Sequence, residues 1–506
     1  MGQRRRAGGS LIMSEIKTFG YFVNNRWHKP ADGAYFESEN PATGAVWARV
    51  ADCRAADIDR AVAAAKRAFY EGPWGRMLPA ERGRHLRRIG DLISANAERL
   101  GEVETRDNGK LPNQITPGLR AGGWSVDSWH YYAGMCDKFE GRVIPAEAPN
   151  IHNYLKWEPF GVVAQILPWN SPIGTLIWKL APCLAAGNTV VLKPSEQSSC
   201  STLELMDVLV EADLPEGVVN VVTGFGDTTG EPLVDHPDVR MVSFTGGTAG
   251  GRAVAAVAAR KVKPVVMELG GKSPQIIFPD ADLDLAVNGV ASGIFPPGGQ
   301  SCISGTRILV HQDIIAEFTG RLAELAGRAR VGPPNDPNSQ IGPMANRPHY
   351  EHVLSSIEAA VKAGHELLLD GRSECRERGY FIGPTIFTNV PNESDLAQNE
   401  VFGPVASTEA WVDEQDAVRI ANDTIFGLAA GIWSRDVANA MRVADQIEAG
   451  TVYINNYFSA SAQSPVGGYK QSGHGRENGW EGMRSFMQTK SVWLSTDPSQ
   501  PAPFKC

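Results

Sequence analysis

The sequence lacks the cysteine pairs, long apolar runs and blocks of like charge that mark several classes of protein. Its 506 residues include seven cysteines, none in a Cys-x-x-Cys pair, and the odd count is typical of a reducing compartment. No run of about 18 apolar residues occurs, so we predict that the chain does not span a membrane. The net charge of -9 is dispersed, which argues against nucleic-acid or anionic-membrane partners. No apolar secretory segment follows the arginines at positions 4–6, and we expect a cytoplasmic protein.

Patterns that could bind a metal ion or mark a nucleotide site are also scarce. His349 and His352 lie at helical spacing, but no carboxylate or cysteine is spaced to complete a metal site. We therefore predict no metal and interpret both histidines as solvated helix positions. Gly224, Gly226 and Gly230 come close to a Gly-x-Gly-x-x-Gly fingerprint but differ in the last spacing, so alone they could equally form a plain turn.

What the sequence does contain is an alternation of short apolar strands and amphipathic helices. Strands are predicted at 162–167, 189–192, 218–222 and 241–244, with a helix around 203–210. This order is typical of a parallel, doubly wound α/β sheet. A second α/β series follows residue 270, and the length itself predicts at least two domains because single cores stop growing at roughly 250–300 residues.

Three segments contain candidate catalytic side chains. Cys302 closely follows two glycines, which allow close backbone approach, although a buried inert thiol is the commoner fate of a free cysteine. Glu268 ends the apolar strand 264–267, where its carboxylate could project into a crevice or serve as a cap or ion-pair partner. Asn170 follows a strand at the edge where open α/β sheets bind ligands, but asparagine is also a common turn residue.

Seven short motifs then occur together in one order. They are Pro168-Trp-Asn170, Lys193-Pro-Ser-Glu196, Phe244-Thr-Gly-Gly-Thr248, Glu268-Leu-Gly-Gly-Lys272, Gly299-Gln-Ser-Cys302, Glu400-Val-Phe-Gly-Pro404 and Pro465-Val-Gly-Gly-Tyr-Lys470. With these motifs the chain resembles the aldehyde dehydrogenase superfamily over nearly its whole length. The resemblance implies an α/β aldehyde dehydrogenase-like fold with a Rossmann-type cofactor domain, an α/β catalytic domain and a small β oligomerisation segment.

The resemblance also implies a reaction, the NAD-dependent oxidation of an aldehyde to a carboxylic acid through a thioester on Cys302. The Cys302 thiolate would attack the aldehyde carbon, and the Asn170 amide with the Cys302 N–H would stabilise the oxyanion. Glu268 would take a proton from the water that hydrolyses the thioester. Lys179 is assigned to the same catalytic set.

NAD is the cofactor that the resemblance implies. The segment 244–251 follows a strand and should open a helix whose N–H groups face the pyrophosphate. Lys193 and Glu196 would bind the adenosine ribose, and because a carboxylate repels a 2′-phosphate we expect NAD rather than NADP. Glu400 and Phe402 would position the nicotinamide ribose. The full predicted cofactor site is Ile166, Pro168, Trp169, Lys193, Ser195, Glu196, Gly226, Phe244, Thr245, Gly246, Gly247, Thr248, Leu269, Gly270, Glu400 and Phe402.

The sequence departs from the family pattern at several positions. Pro297 stands where asparagine is usual, and Gly247 replaces a serine that could bond the pyrophosphate. On the substrate side, Ser171 and Val466 stand where aromatic residues are common. If they line the substrate tunnel with Trp178 and Phe458, the entrance should be roomy, and we expect a medium-sized hydrophobic aldehyde, aromatic or terpenoid-like.

The architecture implied by resemblance has four parts. Residues 1–19 would be a disordered N-terminal extension; 20–140 and 160–269 the NAD-binding domain; 270–484 the catalytic domain; and 141–159 with 485–506 the oligomerisation segment. The C-terminal strand should return to the hairpin near 141–159. Its apolar residues Phe486, Val492, Trp493 and Leu494 would be exposed in a monomer, which predicts a homodimer or a homotetramer built as a dimer of dimers.

Two alternative functions remain at this stage. In an acylating aldehyde dehydrogenase, coenzyme A takes the acyl group instead of water, but such relatives generally lack the hydrolytic glutamate that Glu268 supplies. In a catalytically silent member, kept for binding or structure, we would expect Cys302, Glu268 or Asn170 to be missing.

Overall fold

The computed structural model describes residues 16–497 and residue 504. The strands are β1 (Lys17–Phe19), β2 (Tyr21–Val23), β3 (Arg26–His28), β4 (Tyr35–Asn40), β5 (Ala45–Ala51), β6 (Arg142–Ile144), β7 (Ile151–Pro159), β8 (Val162–Ile166), β9 (Thr189–Lys193), β10 (Val219–Val221), β11 (Met241–Thr245), β12 (Val265–Glu268), β13 (Pro274–Ile277), β14 (Arg307–His311), β15 (Glu366–Leu369), β16 (Thr385–Thr388), β17 (Val405–Trp411), β18 (Phe426–Gly427), β19 (Ala429–Trp433), β20 (Thr451–Ile454), β21 (Tyr469–Lys470), β22 (Gly473–His474) and β23 (Met487–Ser495).

The helices separate most of these strands. They are α1 (Ala55–Tyr70), α2 (Pro79–Ala95), α3 (Ala97–Asn108), α4 (Pro112–Leu119), α5 (Trp124–Met135), α6 (Pro172–Ala185), α7 (Cys200–Glu211), α8 (Glu231–Asp235), α9 (Thr248–Ala259), α10 (Leu283–Ser292), α11 (Ile315–Gly327), α12 (Arg347–Lys362), α13 (Asp395–Gln398), α14 (Glu414–Asn422), α15 (Val437–Ala444) and α16 (Gly479–Ser485). Within the described residues, none of them has the length and apolarity needed to cross a membrane.

The first large sheet has eight strands in the order β22-β12-β11-β8-β9-β10-β2-β3. Strands β12, β11, β8, β9 and β10 are parallel, which confirms the predicted doubly wound sheet, and antiparallel strands complete both edges. From β8 the chain moves to β9 on one side and later to β11 on the other. Ligands bind at such a reversal of strand order, outside the carboxyl ends of the strands.

The second large sheet has seven strands in the order β15-β16-β17-β14-β13-β19-β20, all parallel except β15. The chain leaves the first sheet at Glu268 and enters the second at Pro274. The loop containing Cys302 runs between α10 and β14 of this second α/β layer. The site therefore combines loops from both sheets.

A third, three-stranded sheet has the order β23-β7-β6. The C-terminal strand pairs along the whole of β7, from Met487 opposite Pro159 to Ser495 opposite Ile151, which confirms its predicted return. Phe486, however, is only 1% exposed because it packs into the core next to β23. The prediction that Phe486 is exposed is therefore wrong. Trp493 and Leu494 are 68% and 54% exposed.

The predicted N-terminal extension needs one correction. Lys17–Phe19 is a strand, paired in parallel with β5, because Phe19 is buried against Trp47 with ring centroids 6.3 Å apart. The prediction for residues 1–15 lies outside the described part of the chain.

Candidate active site

The carboxyl ends of four parallel strands bring four of the sequence motifs to one edge of the first sheet. Strand β8 leads to Pro168-Trp-Asn170, β9 to Lys193-Pro-Ser-Glu196, β11 to Phe244-Thr-Gly-Gly-Thr248, and β12 to Glu268-Leu-Gly-Gly. Ile166 and Phe244 belong to the core beneath this edge, while Pro168, Trp169 and Asn170 are half-buried at its surface. The strand order thus gathers residues that are far apart in sequence.

The turn between β11 and α9 is suited to an anion. Gly247 precedes the first turn of α9, and no atom lies within 4 Å of the point where a Cβ on it would stand. The hydroxyl oxygens of Thr245 and Thr248 are buried without a hydrogen-bond partner among the described residues. Free hydroxyls beside an open helix N-terminus fit a phosphate group.

Lys193 and Glu196 form a second part of this edge. The Lys193 Nζ is buried 3.5 Å from the Glu196 carboxylate and donates to the Pro194 carbonyl at 3.1 Å. Burial lowers the pKa of Lys193, and the Glu196 carboxylate opposes that shift. Ser195 is half-buried beside them. Gly226 begins a short π-helical turn and has open space where a Cβ would stand.

The loop before Cys302 depends on glycine. Gly298 and Gly299 have φ angles of 63° and 68°, a left-handed conformation that side chains rarely adopt. A Cβ on Gly299 would overlap the Gly403 carbonyl, so this loop lies directly against the Glu400–Pro404 segment. Cys302 as a residue is half-buried, whereas Cys53, Cys136, Cys183 and Cys200 are buried.

The electrostatic surroundings of Cys302 disfavour its anion. Burial, followed by repulsion from the carboxylates of Glu400, Glu268 and Glu477, raises the pKa of the Cys302 thiol to about 12. The thiol is therefore protonated at neutral pH. A nearby base must accept its proton before the sulfur can act as a nucleophile.

Glu268 lies close enough to Cys302 for its charge to raise the pKa of the thiol. It ends β12, is buried, and its Oε1 has no hydrogen-bond partner among the described residues. Burial and the nearby Glu477 carboxylate raise the pKa of Glu268 well above its ordinary value, against the opposing charges of Lys179 and Arg476. A carboxylate with a raised pKa binds a proton more readily once it is ionised.

Asn170 lies on the other side of the Cys302 loop. Its Nδ2 donates to the Gln300 carbonyl oxygen at 3.0 Å. The buried Gln300 side chain accepts from the Ala345 N–H at 2.8 Å and donates to the Pro343 carbonyl at 3.4 Å. This network fixes the main chain two residues before the thiol.

Glu400 approaches from the second layer. Its Oε1 accepts the Gly271 N–H at 3.0 Å, and a Cβ on Gly270 would overlap its Oε2. Burial raises the pKa of Glu400 to about 7, although the Gly271 N–H and Lys272 favour its anion. Leu269 packs against Gly251 in the first turns of α9. The Glu268–Lys272 segment therefore contacts both Glu400 and helix α9.

Phe402 is held in a left-handed conformation with φ 58°. Its carbonyl lies 2.8 Å from the His349 Nε2, and the Trp169 ring contacts both side chains, with centroids 5.3 Å and 4.7 Å away. Burial lowers the pKa of His349 to about 4. The prediction of two solvated histidines therefore needs a correction for His349, which is half-buried against the aromatic rings and the Phe402 carbonyl, whereas His352 is exposed.

The four predicted substrate residues lie on three elements. Ser171 precedes α6, and Trp178 lies two turns along the same helix. Phe458 packs on Tyr457, whose hydroxyl donates to the Ile303 carbonyl at 2.8 Å, beside Cys302. Val466 exchanges two backbone hydrogen bonds with Glu477, of 2.8 and 2.9 Å.

The aldehyde dehydrogenase family model matches residues 27–492. The chain belongs to the aldehyde dehydrogenase family. It is 41% identical over 482 residues to an aldehyde dehydrogenase of Emericella nidulans, and the aligned region covers 95% of this chain and 96% of that relative.

Two solved structures of aldehyde dehydrogenases have closely similar folds. The NAD+ complex of the Bacillus cereus aldehyde dehydrogenase has a TM-score of 0.92 at 38% identity, covering 95% of this chain and 97% of that one. The Staphylococcus aureus betaine aldehyde dehydrogenase in complex with NAD+ has a TM-score of 0.93 at 35% identity, covering 96% and 97%.

In this aldehyde dehydrogenase the Lys179 side chain is fully buried. It forms an ion pair with Glu477 and donates to the Ser243 hydroxyl at 2.9 Å. Its charge opposes the rise in the pKa of Glu268, so Lys179 influences Glu268 electrostatically. Glu477 is absent from the predicted site, and no motif in the sequence marks it.

Other residues near the site were also missed. Lys272 and Gln300 lie within the family motifs Glu268–Lys272 and Gly299–Cys302, so those motifs could have identified them as site residues. Tyr457 lies in no such motif. Within the described ranges, no group of three histidine, cysteine or acidic side chains is arranged to hold a metal ion.

Proposed function

We propose that this chain oxidises an aldehyde to a carboxylic acid with NAD+ as the oxidant, through a covalent thioester on Cys302. The observation that carries the proposal is the grouping around one half-buried thiol of the Asn170 amide network and the unpaired Glu268 carboxylate. The NAD+ complexes of the two similar structures support the choice of cofactor.

The residues at the edge of the first sheet fit NAD+. The unpaired hydroxyls of Thr245 and Thr248 and the open N-terminus of α9 suit the pyrophosphate. Glu196 suits the adenosine ribose, and Glu400 beside Phe402 suits the nicotinamide ribose. When bound, NAD+ supplies the acceptor for the two electrons and the hydrogen that leave the aldehyde carbon.

The first chemical step forms a carbon–sulfur bond. The ionised form of Glu268 accepts the Cys302 proton, and the sulfur attacks the carbonyl carbon. One Asn170 N–H holds the Gln300 carbonyl, which leaves the second amide N–H, with the Cys302 backbone N–H, for the oxyanion. Fixing these donors in advance stabilises charge that develops only in the transition state.

The last chemical step releases the acid. After the first proton has passed from Glu268 to solvent, the Glu268 carboxylate takes a proton from water and the resulting hydroxide attacks the thioester carbon. The carbon–sulfur bond then breaks, and the proton on Glu268 passes to the sulfur to return the thiol. The presence of Glu268 favours water over coenzyme A as the acyl acceptor. The raised pKa of Glu268 makes it an effective proton acceptor for this step.

The proposal includes a preference for NAD over NADP. The Glu196 carboxylate lies 3.5 Å from the Lys193 Nζ and would repel a 2′-phosphate. Equal kcat/KM for the two cofactors would contradict this preference.

The proposal extends to a medium-sized hydrophobic aldehyde and to a homodimer or a dimer of dimers. The exposed Trp493 and Leu494 on β23 support assembly, together with Val143 on β6, which is 78% exposed. We assign β6, β7 and β23 to the oligomerisation segment, and the two large sheets to the cofactor domain and the catalytic domain.

The decisive experiment measures NADH and product together. Purified protein is incubated with NAD+ and an aldehyde in isotopically labelled water, with and without coenzyme A. We expect NADH and labelled carboxylic acid in equal amounts without coenzyme A. An absolute requirement for coenzyme A, or the absence of NADH with every aldehyde, would overturn the proposal.

A further inference from the structure

Tyr457, in the loop after β20, touches the Cys302 loop on both sides of the thiol. The Tyr457 ring lies between Gly293, where the Cys302 loop leaves α10, and Gly431 on β19. A Cβ on Gly293 would stand 2.8 Å from its Cδ1, and a Cβ on Gly431 would stand 3.0 Å from its Cδ2. The Tyr457 hydroxyl donates to the Ile303 carbonyl at 2.8 Å, one residue after the thiol. One side chain therefore contacts the loop before and after Cys302.

The backbone that carries Tyr457 is held in an unusual conformation. Asn455 and Phe458 are both left-handed, with φ angles of 50° and 63°. A bulky residue such as Phe458 adopts this conformation only where the surrounding structure imposes it. The Asn455 side chain accepts the Ser434 N–H at 3.0 Å and donates to the Ser434 carbonyl at 2.7 Å, which ties the loop to the end of β19. The second α/β layer thus fixes the segment from which Tyr457 reaches the Cys302 loop.

The Tyr457 hydroxyl acts as a hydrogen-bond donor and keeps its proton. Burial raises its pKa, although the Ser273 hydroxyl favours its anion, and the charges of Tyr453 and Cys302 raise the pKa further. Ionisation of the Cys302 thiol therefore makes the Tyr457 hydroxyl hold its proton more firmly. The hydrogen bond to the Ile303 carbonyl can persist throughout the reaction.

Two hydrogen bonds to carbonyl oxygens thus bracket the thiol. The Asn170 amide holds the Gln300 carbonyl, two residues before Cys302, and the Tyr457 hydroxyl holds the Ile303 carbonyl, one residue after it. The first bond comes from the first sheet and the second from the second sheet. Attack on a carbonyl carbon requires the sulfur and the oxyanion donors in one geometry, and a displacement of about 1 Å can cost a hundredfold in rate.

We infer that Tyr457 is a positioning residue that, through the Ile303 carbonyl, holds the Cys302 thiol and backbone N–H in the geometry for attack on the aldehyde. This inference rests on the proposed function. Tyr457 touches neither the aldehyde nor the cofactor in this role, and it transfers no proton. Its effect should therefore fall on the acylation step alone.

The test compares the same substitution on two adjacent rings. Tyr457→Phe removes the hydrogen bond to Ile303 and keeps the ring between the two glycines. Tyr453→Phe is the matched control, because the Tyr453 ring centroid lies 4.9 Å from that of Tyr457 and its hydroxyl donates to the Ser459 carbonyl at 3.1 Å, outside the Cys302 loop. NADH formation from NAD+ and benzaldehyde is followed in single turnovers at saturating excess of protein. Under this condition the rate constant does not depend on the fraction of protein that is folded.

We expect the single-turnover rate constant of Tyr457→Phe to fall about five- to tenfold, as the loss of one neutral hydrogen bond predicts. The NAD+ dissociation constant and the shape of the pH profile should stay as in the wild type. Tyr453→Phe should remain within about twofold of the wild-type rate constant.

Several results would overturn the inference. An unchanged rate constant in Tyr457→Phe, or an equal loss in Tyr453→Phe, would show that the bond to Ile303 does not position the thiol. A loss that varies with pH would assign the hydroxyl to proton transfer, and a weaker affinity for NAD+ would assign it to cofactor binding. Absence of NADH from every aldehyde in the wild type would instead overturn the proposed function, so the two failures are distinguishable.

Discussion

The Asn170 side-chain amide donates to the Gln300 carbonyl oxygen across 3.0 Å, and so joins the end of the first sheet to the loop that carries Cys302. One amide group thereby fixes the main chain of the Cys302 loop, and in the proposed function its second N–H donates to the substrate oxygen. Because Gln300 is itself anchored to the backbone of Pro343 and Ala345, the loop is held from two sides.

Replacing Asn170 should weaken catalysis far more than folding. In Asn170→Asp the carboxylate has no N–H to donate and repels both the Gln300 carbonyl and the oxyanion. We expect kcat to fall by about a hundredfold to a thousandfold. Stopped-flow NADH formation measures the effect, and thermal melting serves as the control for folding. A kcat within a few-fold of the wild type would contradict the oxyanion role.

Replacing Glu268 should separate the two halves of the reaction. Glu268→Gln keeps the size of the side chain but removes the proton acceptor for water. We expect a single burst of NADH, at most one per subunit and slower than in the wild type because the Cys302 proton must then pass to solvent, followed by a stall at the thioester. Cys302→Ala should abolish the burst altogether. Continuous wild-type turnover by Glu268→Gln would show that another group activates the water.

Cofactor binding should depend on pH through Glu400. Burial raises its pKa to about 7, so Glu400 loses its charge as the pH falls through that value and becomes a weaker acceptor for ribose hydroxyls. We expect the NAD+ dissociation constant, measured by calorimetry, to rise about three- to tenfold between roughly pH 7.5 and pH 6. In Glu400→Gln the NAD+ dissociation constant should change little over the same pH range. An equal slope in both proteins would assign the titration to another group.

His349 should affect the cofactor rather than the chemistry. His349→Ala removes the hydrogen bond to the Phe402 carbonyl and allows Phe402 to leave its left-handed conformation. We expect KM for NAD+ to rise about three- to tenfold with little change in kcat. His352→Ala, on the exposed face of the same helix, is the matched control. Equal effects of the two substitutions would rule out this positioning role.

Periodicity and motif order predicted much of the fold from the sequence. The strands ending at Ile166, Lys193 and Thr245 lie within one residue of their predicted ends, because buried parallel strands are short, continuous apolar runs. The roles given to Cys302 and Glu268 remain predictions that the geometry supports.

The errors concern contacts between distant segments. Phe486 and His349 look like surface residues in their local sequence. Packing against other parts of the chain buries Phe486 and half-buries His349. Glu477 has no motif, and its importance follows from its ion pair with Lys179, 298 positions earlier.

Strand β22 completes the edge of the first sheet next to Glu268, with Met267 opposite His474 and Glu268 opposite Gly473. The Leu269 N–H, just beyond, donates to the Ser472 carbonyl at 2.9 Å. This edge can form only after the ribosome has synthesised the second α/β layer and the β22 residues that follow it. Enzymatic competence must therefore arise late in biosynthesis, after the ribosome has delivered the segment around residues 472–477, and premature termination upstream of it would yield inactive protein even with every earlier motif intact.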